Sequence, residues 1–312
     1  MEHERLELAV FEDDASPVPV IMVTYRIMNR YLGVLLCAAA VVGNGIAADG
    51  RTFPPQGVPP TFADEFDGGK LDETAWTDWV ASFQGRSAGF LFARDNVAVS
   101  NGCLNLTARF MRDDEKTVEN LRRGFTTYAT AYVRRKEKSF YGYYECRAKT
   151  MKACVCNAFW LYDPLSDQPT KKFRPGETSE EIDIFEIFGK EGTIRSPGID
   201  HVCFETVHQL QTPYLEGICN GGAVKLSNKT KSAKVDFLPR EDFHVYGFLW
   251  TEKELVWFVD GKETFRRAND VFHRPLHLVF DCEIMYNWAG EPSAADLPAV
   301  FSVDYFRYWQ AR

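Results

Sequence analysis

From residue 49 onward the chain reads as one short strand after another, and only 113–123 has the pattern of a helix. Many strands without intervening helices can bury their apolar faces only against each other, which leaves a sandwich or a barrel. Residues 102–109 alternate, 141–149 are rich in aromatics, and 301–309 end the chain with a further strand pattern. Residues 254–259, the turn pair Asp260-Gly261 and residues 262–265 read as a hairpin. About 260 residues is long for a plain sandwich but suits a jelly roll with large loops. The polar stretch 163–180 holds three prolines and reads as a long loop within a single domain, 49–312.

The first 48 residues follow another plan. A 12-residue apolar run, 31–42, lies between Arg26 and Arg30 and the small-residue exit Gly45-Ile-Ala-Ala48. That is the layout of a secretory signal, 28–48, and it is too short for a bilayer span of roughly 20 residues. The acid-rich segment before Met28 does not fit a signal, so Met28 is the expected start. The expected product is secreted or periplasmic, free of membrane after cleavage, and monomeric. A net charge of −8 argues against a nucleic-acid partner. Scattered histidines and the lack of a Cys-x-x-Cys pair give no structural zinc module. Seven cysteines follow the signal, and none is assigned to a disulfide.

The chemistry is concentrated in Ser179-Glu-Glu-Ile-Asp-Ile-Phe-Glu-Ile-Phe-Gly189. Three acids at Glu181, Asp183 and Glu186 could arise by chance in a chain with 44 acidic residues; their setting among Ile182, Ile184, Phe185, Ile187 and Phe188 gives them weight. On a strand Glu181 and Asp183 share a face, whereas Glu186 falls on the opposite one. One extra residue, accommodated as a β-bulge, would return Glu186 to the face of the other two. Three crowded carboxyls cannot all ionise at neutral pH, so at least one stays protonated beside an ionised neighbour. A double displacement on a glycoside needs that pair: one carboxylate to attack the anomeric carbon and one acid to protonate the leaving oxygen. A solvated strand face or a calcium site are the plainer readings.

The motif Glu-Ile-Asp-Ile-Phe-Glu resembles the bulged catalytic strand of glycoside hydrolase family 16. Phe62-Ala-Asp-Glu-Phe-Asp-Gly68, Ala158-Phe-Trp-Leu161, Asp242-Phe-His-Val-Tyr-Gly247 and Val303-Asp-Tyr305 match that family in order. The resemblance implies an all-β fold, a curved antiparallel β-sandwich (jelly roll) with a concave substrate cleft. It implies Glu181 as nucleophile, Asp183 as its hydrogen-bonding assistant and Glu186 as general acid/base.

Within the family the branch that cuts red-algal galactans is the most similar. Ala158-Phe-Trp-Leu-Tyr162, the long polar loop, His201 and Phe272-His-Arg274 resemble κ-carrageenases. Trp160 is then expected to stack on a sugar. The stretch Asn287-Trp288-Ala-Gly290, which lacks a basic residue for sulfate, looks more like agarases and porphyranases. The expectation is an endo-acting, retaining hydrolase of internal β-1,4 bonds in a sulfated galactan, κ-carrageenan before agarose or porphyran. A non-catalytic lectin and a transglycosylase are the alternatives.

Sulfate calls for arginine or lysine. Arg86 and Arg174 are the first candidates, ahead of Lys171, Lys172 and Arg195, with Trp79 and Trp288 as stacking platforms. No cofactor is required for the chemistry. Asp304 and the backbone near Gly102 resemble the family's structural calcium site, and metal binding is left open.

Overall fold

Runs of β-branched and aromatic residues separated by tight turns become two stacked sheets. In the computed structural model of the chain, the described residues are 8–10, 21–23, 45–46, 52–86, 89–163, 178–211 and 224–311. Two units separate by their contacts, Met1–Val41 and Val42–Arg312. In the first, strands Leu8–Val10 and Ile21–Val23 pair antiparallel. Of the expected signal at 28–48 only Gly45–Ile46 is described, paired with Thr52–Phe53; the rest lies outside the described residues.

In the second unit, a seven-stranded sheet runs in the order Val224–Lys234, Val202–Gln211, Thr178–Phe188, Cys156–Asp163, His277–Glu283, Tyr132–Arg135 and Trp76–Thr77. Every neighbouring pair in it is antiparallel. An eleven-stranded sheet is built around Gly142–Lys149, Ala299–Gln310 and Cys103–Phe110, with a single parallel pair, Phe90–Phe92 against Tyr128–Thr130. The chain is an all-β jelly roll, as expected.

The core between the sheets explains the acidic strand's apolar half. Phe185 stands opposite Phe159, and Phe159 opposite Phe280, in one row across three strands. All three are fully buried, and the Phe159 and Phe280 rings stack at 4.8 Å. Tyr246 meets Phe185 from the other sheet at 4.4 Å, and Phe306 meets Phe159 at 5.9 Å. Burying each such ring contributes about 1.5–3 kcal/mol, with roughly 0.5–1.5 kcal/mol more per aromatic pair. The opposite face of this sheet is therefore laid on a rigid back.

Local expectations are met with small shifts. The expected helix resolves into a 3₁₀ turn, Asp113–Glu115, and a short helix, Val118–Arg122, whose first turn is capped by the Thr117 hydroxyl accepting from the Asn120 amide. The hairpin pairs Val259 with Lys262, and Asp260 and Gly261 take φ of 47° and 73°. That left-handed pair is what a two-residue loop requires. The long loop ends earlier than expected, because Thr178 and Glu180 already pair with Gln211 and Gln209; residues 164–177 lie outside the described residues. Among the described cysteines, Cys103, Cys146, Cys154, Cys156, Cys203 and Cys282 are free thiols.

Candidate active site

The face of the seven-stranded sheet away from the core is a lattice of polar side chains. Residues directly opposite on antiparallel strands share a face, about 4.5–5.5 Å apart at Cβ. One row runs His208, Glu181, Tyr162, His277; the next runs Thr206, Asp183, Trp160, Val279. A third runs Phe204, Glu186, Ala158, Asp281, and a fourth places Phe188, Cys156 and Glu283 side by side. A cleft is lined by Arg86, Cys156, Ala158, Trp160, Glu181, Asp183, Glu186, Asp281, Glu283 and Met285.

Glu186 reaches this face through the expected bulge. On one side Asp183 opposes Trp160 while Phe185 opposes Phe159; on the other, Asp183 opposes Thr206 while Glu186 opposes Phe204. Ile184 is the additional residue and is buried. A bulge disrupts the ladder and leaves backbone groups to be satisfied elsewhere. Here the Asp183 carbonyl accepts from Trp257 Nε1 at 2.9 Å, and Trp257, on Glu254–Val259 of the other sheet, is fully buried. The second sheet thus holds the bulge in place.

The electrostatics follow from five carboxyls against one guanidinium. Burial, reinforced by the charges of Glu181 and Glu283, pushes Glu186 up to about 8. Asp183, 3% exposed, is driven well above the usual carboxylate range by burial and then by Glu181, Glu186 and Asp281. Asp281 is driven the same way by burial and then Glu283, while the nearby Trp160 indole works weakly in the opposite sense. At neutral pH the cleft therefore holds protonated acids, Glu186 among them. The Cys156 thiol lies 3.8 Å from Glu186 Oε1 and is itself kept protonated by burial.

His208 Nε2 lies 3.6 Å from Glu181 Oε1 and 3.6 Å from Asp183 Oδ2. Glu181, Asp183 and His208 place one ligand atom each within 4.8 Å of one another, the one such cluster among the described residues. An ion bound there would occupy the lone pairs that a carboxylate nucleophile needs. Asp304, the residue resembling a calcium ligand, pairs with Arg147 Nη1 at 2.8 Å; a guanidinium in that position repels a dication, so the arrangement does not fit an ion.

Arg86 is brought to the cleft from the edge of the other sheet, on strand Gly85–Arg86, and its Nε bonds Glu283 Oε2. Gly85 permits this, since it has φ 130° and a Cβ would meet the Phe90 carbonyl at 2.4 Å. Glu283, ahead of any other group, holds the Arg86 guanidinium charged. Trp160 lines the cleft and Trp288 packs edge-on against Phe188 and Phe204, on the same face beyond Glu186. His201 is not among the lining residues: it ends the 3₁₀ turn Ile199–His201 before its strand begins. Trp79 is 46% exposed and also outside the lining, and Arg174 lies outside the described residues.

Sequence reasoning missed His208, Asp281, Glu283 and Cys156. Asp281 and Glu283 carried a signal, two acids at period two inside the apolar strand His277–Glu283. His208 had only its alternation with Thr206, and nothing in the chain order announced that this strand would lie beside the acidic one.

A family profile described as "Beta-porphyranase A-D, GH16 domain" matches residues 58–311. The chain is 30% identical to beta-porphyranase B of Zobellia galactanivorans over 64% of each chain, so it spans less than two thirds of that relative's length. It is 26% identical to the kappa-carrageenase of Pseudoalteromonas carrageenovora over 94% of this chain and 74% of that one. Among solved structures, porphyranase B from Zobellia galactanivorans superposes with a TM-score of 0.62 at 26% identity, covering 80% of this chain and 90% of that one. With a profile that spans the whole jelly roll and the bulged acidic strand at its centre, this chain belongs to glycoside hydrolase family 16, in its beta-porphyranase A-D group.

Proposed function

We propose that the protein is an exported, endo-acting retaining glycoside hydrolase that cleaves internal β-1,4 bonds of a sulfated red-algal galactan of the porphyran type. The observation that carries this is the bulge at Ile184, which puts Glu181, Asp183 and Glu186 on one face of one cleft. Glu181 attacks the anomeric carbon as Glu186, protonated at neutral pH, gives its proton to the departing glycosidic oxygen. The bond to the leaving sugar breaks as the Glu181 ester forms. Glu186, now a carboxylate, takes a proton from water, whose oxygen displaces Glu181 and restores both groups. Asp183, protonated by its surroundings, donates to its neighbour Glu181 and orients it.

Residue types in the cleft support a substrate with both neutral and anionic parts. Trp160 offers an aromatic ring to a sugar, and Arg86 offers N–H donors for a sulfate beyond those it gives Glu283, while Trp288, packed on Phe188 and Phe204, lies outside the lining. The family match favours porphyran over κ-carrageenan, reversing the order expected from sequence. κ-Carrageenan remains the second reading, favoured by the kappa-carrageenase match across 94% of the chain.

Reducing-end release from porphyran, κ-carrageenan and agarose, with NMR of the first anomer formed, tests the proposal. Fastest release from porphyran with retained configuration supports it, and inverted configuration overturns the mechanism. A chain that binds galactan equally well with and without Glu181→Gln, and cuts none, would be a lectin.

A further inference from the structure

Four buried polar atoms lining the cleft have no hydrogen-bond partner: Trp160 Nε1, Asp183 Oδ2, Asp281 Oδ2 and Glu283 Oε1. Asp183 belongs to the acidic strand and Glu283 is tied to Arg86, which leaves Trp160, the one donor among the four, and Asp281. Trp160 is 6% exposed, and its Nε1 is a donor with nothing to donate to. Asp281 is 2% exposed, and its Oδ2 lacks any hydrogen-bond partner. Both line the cleft. The two residues are one step apart in the lattice: Trp160 opposes Val279 and Ala158 opposes Asp281 on the same pair of strands. The indole is close enough to act on the Asp281 carboxyl, yet the two make no hydrogen bond of proper geometry. Leaving a buried donor and a buried acceptor unmet costs about 1–3 kcal/mol each, so the pair is set for a group that can accept and donate at once.

Only a few groups do both. A sugar hydroxyl accepts from the indole through its oxygen and donates its own hydrogen to Asp281. A hydroxyl also fits whichever way the Asp281 carboxyl is protonated, since it can give a hydrogen bond to that carboxyl or take one from it. The floor beside the pair is Ala158, the smallest side chain in its row, flanked by Glu186 on one side and Asp281 on the other. A sugar ring seated over Ala158 would have the acid/base at one edge and the hydroxyl reader at the other.

We infer that Trp160 Nε1 and Asp281 Oδ2 together read one hydroxyl of the sugar unit at the cleavage point, making Asp281 a specificity-determining residue. This rests on the hydrolase reading above. It adds a role for an acid outside the Glu181-Asp183-Glu186 strand and a second role for Trp160 beyond stacking. A site built around a substrate hydroxyl rejects the analogue lacking it strongly, by about 10⁴–10⁵-fold in well-matched cases.

A double-mutant cycle tests it, using Trp160→Phe, Asp281→Ala and the pair on whichever galactan the unaltered protein cuts fastest. Trp160→Phe keeps a ring to stack and removes only the N–H. Each single change is expected to lower kcat/KM by about tenfold or more, and the double to be little worse than either, because both lose the same hydroxyl. Thermal unfolding should show Asp281→Ala no less stable than the parent, since a buried acid is removed; a merely structural Asp281 would lower the midpoint. Losses that multiply independently, or an Asp281→Ala protein within twofold of the parent, would overturn the inference while leaving the hydrolase reading intact. A parent that cuts no galactan would overturn the hydrolase reading instead, and this inference with it.

Discussion

Asp183 stands opposite Thr206 and Glu186 opposite Phe204, so three steps along the acidic strand match two along its neighbour. Because Ile184 is bulged out of the ladder, Glu186 points to the same side as Glu181 and Asp183 instead of the opposite one. Deleting Ile184 should let the strand pair regularly, with Glu186 still on the cleft face but without the bulge that sets its distance and angle to Glu181, and without the buried Ile184 side chain. The expected outcome is loss of measurable hydrolysis together with a lower unfolding midpoint, read by reducing-end assay and calorimetry on the same protein.

The bulge also depends on a residue far away in sequence. Trp257→Phe keeps the aromatic packing but removes the donor to the Asp183 carbonyl, at 2.9 Å in the parent. A buried carbonyl left unmet should cost about 1–3 kcal/mol of stability. Turnover should fall as well, because the acids sit on the segment that loosens. Denaturant unfolding alongside kcat would separate this from a simple packing defect, in which kcat stays put.

The pH dependence follows from Glu186. Its pKa is raised to about 8 from an ordinary 4.5, so the acid is protonated and competent below about 8, and kcat/KM should fall as pH rises through that value. The folded state binds a proton that the unfolded chain has released above 4.5, so this group's stabilising share is whole below 4.5 and lost as pH climbs to about 8. Glu186→Gln should remove that dependence and cut turnover by about 10²–10⁴-fold. Unfolding midpoints of both proteins between pH 5 and 9 would show whether their curves converge at low pH and separate at high pH.

His208 gives a prediction independent of the bulge. With Nε2 3.6 Å from both Glu181 and Asp183, it is placed to orient the nucleophile. His208→Ala should reduce kcat by about tenfold to a hundredfold, the scale of a 1 Å misplacement in an active site, with KM little changed. Equal loss in kcat and unfolding midpoint would instead mark it as a packing residue.

Arg86 separates charge recognition from chemistry. Arg86→Met should raise KM on a sulfated galactan and flatten its dependence on salt, while hydrolysis of an unsulfated galactan changes less. Steady-state kinetics at two ionic strengths would check both statements.

The acidic strand, its bulge and the all-β class could be argued from residues because each is local: period-two alternation, turn pairs and three acids within six positions. Arg86 could be named as a candidate only through chemistry, because holding a sulfate calls for arginine or lysine in an otherwise acidic chain. What stayed illegible depends on strand order. Asp281 and Glu283 come about 100 residues after the motif, and become its neighbours only because His277–Glu283 pairs with Cys156–Asp163. The same holds for His208, whereas His201, named through the κ-carrageenase resemblance, ends a 3₁₀ turn outside the cleft lining.

The contact between Arg86 and Glu283 ties an edge strand of one layer to an inner strand of the other, right at the cleft. The side chain that would greet an anionic polymer is thus also a fastener between the two halves of the fold. Evolution toward a differently charged polymer at this position would have to refit the aperture at the same stroke, so selectivity and opening width are inherited together.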